Sequence, residues 1–235
     1  MPTIKRQIIA MGGGGFTATP DNPVLELYAL AQTRKSNPSI CFLPTATGDE
    51  STYIAKFYAV FSKQRCRPTH ISFFDRTPNL REILLSQDMI YVGGGNTKSM
   101  LAVWREWDLP RILRRAWNSG IVLAGVSAGA ICWFESGVTD SWAVHLASLR
   151  CMGFLPGVCC PHYDGEADRR PAVHRFVAKG ILPEVLAIDD RAAAHFVGRK
   201  RKRIVSYRPG AGAYRVHREG REVIETALPV TRIGQ

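Results

Sequence analysis

Five short apolar runs alternate with helical stretches over the first half of the chain, and this alternation limits the possible folds more than any other feature. Gln7–Met11, Ser39–Pro44, Thr69–Phe73, Met89–Val92 and Ile121–Val126 read as strands, rich in β-branched and aromatic residues. Between them Val24–Thr33, Tyr53–Arg65, Leu80–Leu85, Thr97–Trp107 and Pro110–Asn118 read as helices. Pro110 suits a first helical position, and Gly120 stands where a helix would be capped. Such alternation predicts the α/β class, with a mostly parallel central sheet covered by helices on both faces. Beyond about Gly137 the pattern changes. Val185–Ile188 reads as one more strand, and Ile204–Tyr207, Ala213–Val216 and Glu222–Thr226 as short antiparallel strands set apart by Pro-Gly and Glu-Gly turns. With no repeat or linker, residues 1–235 read as a single domain.

No apolar run approaches the roughly eighteen residues of a membrane span. The start, Met1–Arg6, leads directly into Ile8–Met11, a run too short for a secretion signal. A cytoplasmic location without a membrane partner is therefore expected, and the six cysteines, with no Cys-x-x-Cys pair, are expected to be reduced thiols. The net charge of +11 raises nucleic acid as a partner. Much of it, however, is the run Arg199–Arg203, which lacks interleaved aromatics and reads as a solvated turn.

The most informative stretch is Ile121–Ile131, where a buried strand enters Gly125-Val126-Ser127-Ala128-Gly129 and a helix is expected to begin. Gly-x-Ser-x-Gly in a strand–turn–helix context lifts a nucleophilic oxygen onto a sharp turn. Flanking glycines admit neighbouring backbone, and the helix N-terminus directs N–H groups, Ala128 first, at developing negative charge. The competing reading is a tight connection with Ser127 as a mere N-cap.

Val92-Gly93-Gly94-Gly95-Asn96-Thr97 likewise joins a strand to a helix, yet it fits neither the dinucleotide fingerprint nor a P-loop. Beside the Ser127 strand its N–H groups, that of Gly95 above all, would complete an oxyanion hole. Gly12–Gly15 also fails both nucleotide patterns, which leaves it a structural role or a place at the substrate rim. Six histidines compete to be the base, and His162 lies in a loop expected at a strand end. Candidate acids are Asp140, Asp164, Asp189 and Asp190, and triads recur in several chain orders, so order does not choose. His162, Asp164, Glu166, Asp168 and His174 are metal-ligand types, but their spacing matches no recognised site, and no metal is expected.

In combination and order, Val92–Thr97, Gly125–Ala130, Pro161-His162-Tyr163 and Ile188-Asp189-Asp190 resemble the peptidase E (aspartyl dipeptidase) family, with cyanophycinases as distant relatives. The likeness covers nearly the whole chain. It implies a class I glutamine amidotransferase-like fold with serine in place of cysteine. It further implies Ser127 as nucleophile, His162 as base, Asp190 as acid with Asp140 as the alternative, and Gly95 with Ala128 as the oxyanion hole. Two departures stand out: the acid is Asp where relatives often carry Glu, and Arg191 stands where they often carry glycine.

The implied activity is hydrolysis of short peptides, dipeptides with N-terminal Asp foremost, through an acyl-enzyme and without a cofactor. Arg169, Arg170 and Arg191 compete to read the substrate carboxylate, and Asn96 joins them as a substrate-binding candidate. Ser136–Ala147 and Tyr163–Pro171 are candidate closing loops. The alternatives are isoaspartyl or cyanophycin-like specificity on the same fold, or a non-catalytic nucleic-acid-binding protein using the basic surface. A short peptide is the expected partner, and a homodimer is left open.

Overall fold

In the computed structural model, which describes residues 5–142 and 145–234, consecutive side chains of the first strands face opposite sides of a sheet, and helices fill each side. The strands are β1 (Gln7–Met11), β2 (Ser39–Leu43), β3 (Arg67–His70), β4 (Met89–Val92) and β5 (Val122–Val126). The helices between them are α1 (Val24–Ala31), α2 (Ser51–Phe61), α3 (Leu80–Leu85), α4 (Thr97–Glu106) and α5 (Leu109–Asn118). Ile9, Met11, Phe42, Tyr91 and Val126 pack against α1 and α2, whereas Ile8, Ala10, Leu43, Ile90 and Leu123 pack against α3, α4 and α5. Both faces are thus dry. Pro110 lies in the first turn of α5 and Gly120, with φ +90°, follows its end.

After β5 come the short helix α6 (Ala128–Ile131), β6 (Phe134–Thr139), β7 (Ala147–Arg150), β8 (Leu155–Cys160) and α7 (Arg169–Ala178). The chain ends with β9 (Glu184–Ile188), β10 (Ala192–Val197), β11 (Lys200–Ser206), β12 (Ala213–Glu219), β13 (Glu222–Ala227) and β14 (Val230–Arg232). The main sheet has eight strands in the order β14-β11-β10-β1-β5-β4-β2-β3, antiparallel only where β10 meets β1 and β11. A second sheet of six strands runs β13-β12-β9-β8-β6-β7. One of its faces joins the first core through Phe134, Leu155, Cys159 and Ile188, and α7 covers the other through Val173 and Val177.

Several expectations need correction. The short C-terminal strands divide between the two sheets: β11 and β14 join the main sheet and pair in parallel, while β12 and β13 join the second. The helix after Ser127 has only four residues, because the chain turns at once into β6. β3 starts two residues early and ends at His70, since Ile71 and Phe73 turn into the core as a loop. Pro68 is tolerated because β3 is an edge strand. Of the basic run only Arg199 lies in a turn; Lys200–Arg203 form the exposed first half of β11. Among the described residues no helix is long and apolar enough to cross a membrane.

Candidate active site

The end of β1 supplies three successive carbonyls that gather three distant segments. Met11 O accepts from Ser127 N at 3.1 Å, Gly12 O from His162 N at 3.1 Å, and Gly13 O from Arg191 N at 2.9 Å. Gly12 N donates in turn to Ala192 O at 2.9 Å. Glycine is demanded here by space. A methyl group on Gly12 would sit 2.2 Å from Asp189 O, and one on Gly13 would sit 1.9 Å from Asp190 Oδ1 and 2.4 Å from His162 Nδ1. The Gly12–Gly15 loop is therefore the ruler that spaces the site.

Ser127 closes β5 with φ +56° and ψ −112°, a conformation L-residues avoid. His162 (φ +51°) and Arg191 (φ +66°) are also left-handed, so half of the six such non-glycine residues among those described lie here. The turn is tight because Gly125 and Gly129 admit backbone: methyl groups there would lie 2.4 Å from Gly129 O and 2.2 Å from Val92 O. The loop after β4 lies against the serine, with a methyl on Gly94 only 3.3 Å from Ser127 Cβ. Gly95 has φ +131° and abuts Ala46 O. Among the described residues the N–H groups of Gly95 and Ala128 have no hydrogen-bond partner, which leaves both available to an incoming oxyanion.

His162 Nδ1 and Asp190 Oδ1 are 2.7 Å apart, and both side chains are partly exposed. The hydrogen bond from His162, aided by the charges of Arg208 and Arg191, outweighs burial and holds the Asp190 carboxyl below its usual range. An ionised Asp190 accepts from Nδ1–H, so Nε2 presents its lone pair. Asp164 accepts from Asp190 N at 2.9 Å and is ion-paired with Arg208, which fixes the acid's backbone. Asp189 points away: it is buried, its Oδ2 accepts from Gly212 N at 2.9 Å, and burial raises its carboxyl. Asp140 is exposed and lies 3.4 Å from Arg169, not beside His162's Nδ1.

The family model for peptidase family S51 matches residues 8–204. The chain belongs to peptidase family S51. It is 52% identical to "Uncharacterized peptidase YgaJ" of Bacillus subtilis (strain 168) over 97% of this chain and 100% of that protein. It is 30% identical to peptidase E of Actinobacillus pleuropneumoniae serotype 5b, over 50% of this chain and 54% of that protein. Its fold matches the crystal structure of a peptidase from an acI-B1 actinobacterium, with TM-score 0.69, 16% identity and 95% of each chain covered. The peptidase E-like fold expected from the motifs is thereby established.

In this S51 peptidase the three candidate arginines have different surroundings. Arg169 is 2% exposed and committed on every side, to Glu166 Oε2 at 2.7 Å, Val138 O at 2.9 Å and Asp140 Oδ1 at 3.4 Å. Arg170 pairs with Glu225 at 3.0 Å and lies over the rings of Tyr163 and Tyr214. Arg191 is exposed, its stem against Gly14. Asn96 caps α4 by accepting from Ser99 N at 2.9 Å, and its amide donates to Ser141 O at 3.2 Å. Ser141 thereby ties one wall of a 530 Å³ cleft to the glycine loop; the cleft is lined by Asp140, Trp142, His145, Leu146, Glu166 and Asp168. Its other wall is tied to the histidine, since Glu166 N donates to His162 O at 3.1 Å. Ala143 and Val144, within one candidate closing loop, lie outside the described residues. The histidine–carboxylate cluster weighed as a metal site is dispersed onto separate partners, with Asp164 on Arg208, Glu166 on Arg169 and His174 on Glu225.

Tyr53 escaped the reading of the sequence, and Asp164, weighed there as a candidate acid, instead holds the backbone of Asp190. The Tyr53 hydroxyl accepts from Gly94 N at 3.3 Å and stays a phenol, its pKa pushed up to about 12 by burial. Tyr53 has no local signal, because it reaches the site from α2, far away in the chain. The tetraglycine after β1 was such a signal: consecutive glycines at a strand end announce close backbone approach.

Proposed function

We propose that this S51 peptidase is a serine peptidase of short peptides, working in the cytoplasm through Ser127, His162 and Asp190. His162 Nε2 removes the Ser127 proton, Ser127 Oγ attacks the peptide carbonyl, and the N–H groups of Gly95 and Ala128 hold the oxyanion. The imidazolium then protonates the leaving amine. Water, activated by the same imidazole, releases the acyl group, and Asp190 keeps the ring oriented throughout. The observation that carries this reading is the set of adjacent carbonyls, Met11 to Gly13, bonded to the segments bearing all three residues. Ser127→Ala tests it: peptide hydrolysis is expected to fall by at least about 10³-fold with the fold intact. An unchanged rate would overturn the mechanism.

For the substrate we favour a dipeptide with N-terminal Asp. Its α-ammonium would lie in the cleft lined by Asp140, Glu166 and Asp168, and its side-chain carboxylate on Arg191, since Arg169 and Arg170 already have anionic partners. The carboxylate lining of that cleft favours a second reading, a substrate whose first residue is itself cationic. A panel of Asp-Leu, Ala-Leu and Lys-Leu separates them. The aspartyl reading requires Asp-Leu to have the highest kcat/KM; preference for Lys-Leu selects the second.

A further inference from the structure

A carboxylic acid inside an aromatic core needs a reason. Glu26 on α1 is 1% exposed, on the face of the sheet filled by Phe16, Phe42, Phe57, Phe61 and Tyr91. Its Oε1 accepts from Phe16 N at 2.7 Å and from Tyr91 Oη at 2.9 Å. The same oxygen bounds Gly15, where a methyl group would lie 3.0 Å from Glu26 Oε1, 3.1 Å from Tyr91 Oη and 3.4 Å from Val126 Cγ1. Glu26 therefore bonds the residue that follows the Gly12–Gly15 loop and the strand leading to Gly93–Gly95, while Val126, the residue before Ser127, packs against the same Gly15. Four consecutive glycines have wide backbone freedom, and such a run holds one shape only if both ends are fixed. The β1 ladder fixes one end; the Glu26 carboxyl and the Phe16 ring fix the other.

We propose that Glu26 is a positioning residue for the His162–Asp190 pair, acting through the glycine loop as an acceptor for Phe16 N–H and Tyr91 O–H. This rests on the serine-peptidase reading but has a readout of its own. An acceptor is what the site requires, so Glu26→Gln is the conservative variant and Glu26→Leu the disruptive one; Tyr91→Phe removes one donor and serves if the leucine variant does not fold. In full-length protein we expect Gln to retain kcat within threefold of the parent. Leu lowers kcat at least 30-fold with KM changed less than threefold, and Phe lowers kcat several-fold. The downfield proton resonance of the His162–Asp190 hydrogen bond should persist in Gln and be broadened or lost in Leu. That resonance needs no substrate, so it decides the Glu26 proposal even if no peptide is cleaved, whereas the Ser127→Ala rate decides the peptidase reading. A folded Glu26→Leu, or in its absence Tyr91→Phe, with unaltered kcat and resonance overturns the positioning role. Equal damage from Gln and Leu overturns it too.

Discussion

At the scale of single residues, the contrast between Asp190 and Asp140 is one of partner, not of type. Asp190 meets an imidazole at 2.7 Å, and that hydrogen bond lowers its pKa; Asp140 meets the guanidinium of Arg169. An amide at position 190 would turn an acceptor into a group able to donate, favouring the wrong tautomer of His162. Asp190→Asn is therefore expected to cost on the order of 10³- to 10⁴-fold in kcat with little change in KM, measured on the best dipeptide of the panel. Asp140→Asn should spare kcat and act on KM, because it changes only the cleft and one arm of Arg169. The reverse ranking would reassign the acid.

At the scale of elements, the glycine loop after β1 does what no single side chain does: it sets the separation of three segments by backbone alone. Gly13→Ala would drive a methyl group into Asp190 Oδ1 and His162 Nδ1. We expect at least a 100-fold loss of kcat, at a stability cost of about 1–3 kcal/mol typical of overpacking, read by kinetics beside a denaturant midpoint. Wild-type kinetics in this variant would mean that the loop yields freely. Four of the first five strands and the helices between them were legible because those strands are apolar runs buried on both faces, whereas β3, a half-exposed edge strand, was placed only in part. β6 and β8 were not: Gly137 lies inside one, Pro156 and Gly157 inside the other, where local rules forbid strands. Their pairing is a tertiary matter, and a methyl on Gly137 would in fact strike Ile131 at 2.6 Å. At the site, the Ser127 turn and the Gly95 loop carry motifs of their own, whereas His162 stood among six histidines and entered, like Asp190, through the family resemblance. The choice of Asp190 over Asp140, and the commitment of Arg169, depend on which loops fold back together, and spacing does not encode that.

At the scale of the whole molecule, stability should depend on acid in a way set by His195. Its ring is 2% exposed between β10, β1 and α1, with Nδ1 2.7 Å from Tyr28 Oη and Nε2 3.1 Å from Gln7 Oε1. Gln7 Oε1 only accepts, so Nε2 carries the proton and Nδ1 accepts from the phenol; the ring is neutral. Burial, reinforced by Arg203 and Lys202, lowers its pKa from 6.5 to about 4. The unfolded chain thus binds the proton first, and stability falls as pH drops from about 6.5 to about 4, by on the order of 3 kcal/mol. Thermal midpoints across that window should decline in the parent, and less steeply in His195→Met from a lower starting value; parallel slopes would refute the assignment. The two sheets also bear on how the protein is made. Ser127 ends a strand of one sheet, His162 follows a strand of the other, and Asp190 stands on the short crossing from β9 to β10. A ribosome that has released the first half of the chain has made the nucleophile without its partners. On the roles proposed, cutting power arrives only with the last strands, and a half-synthesised copy is harmless to the cell that is building it.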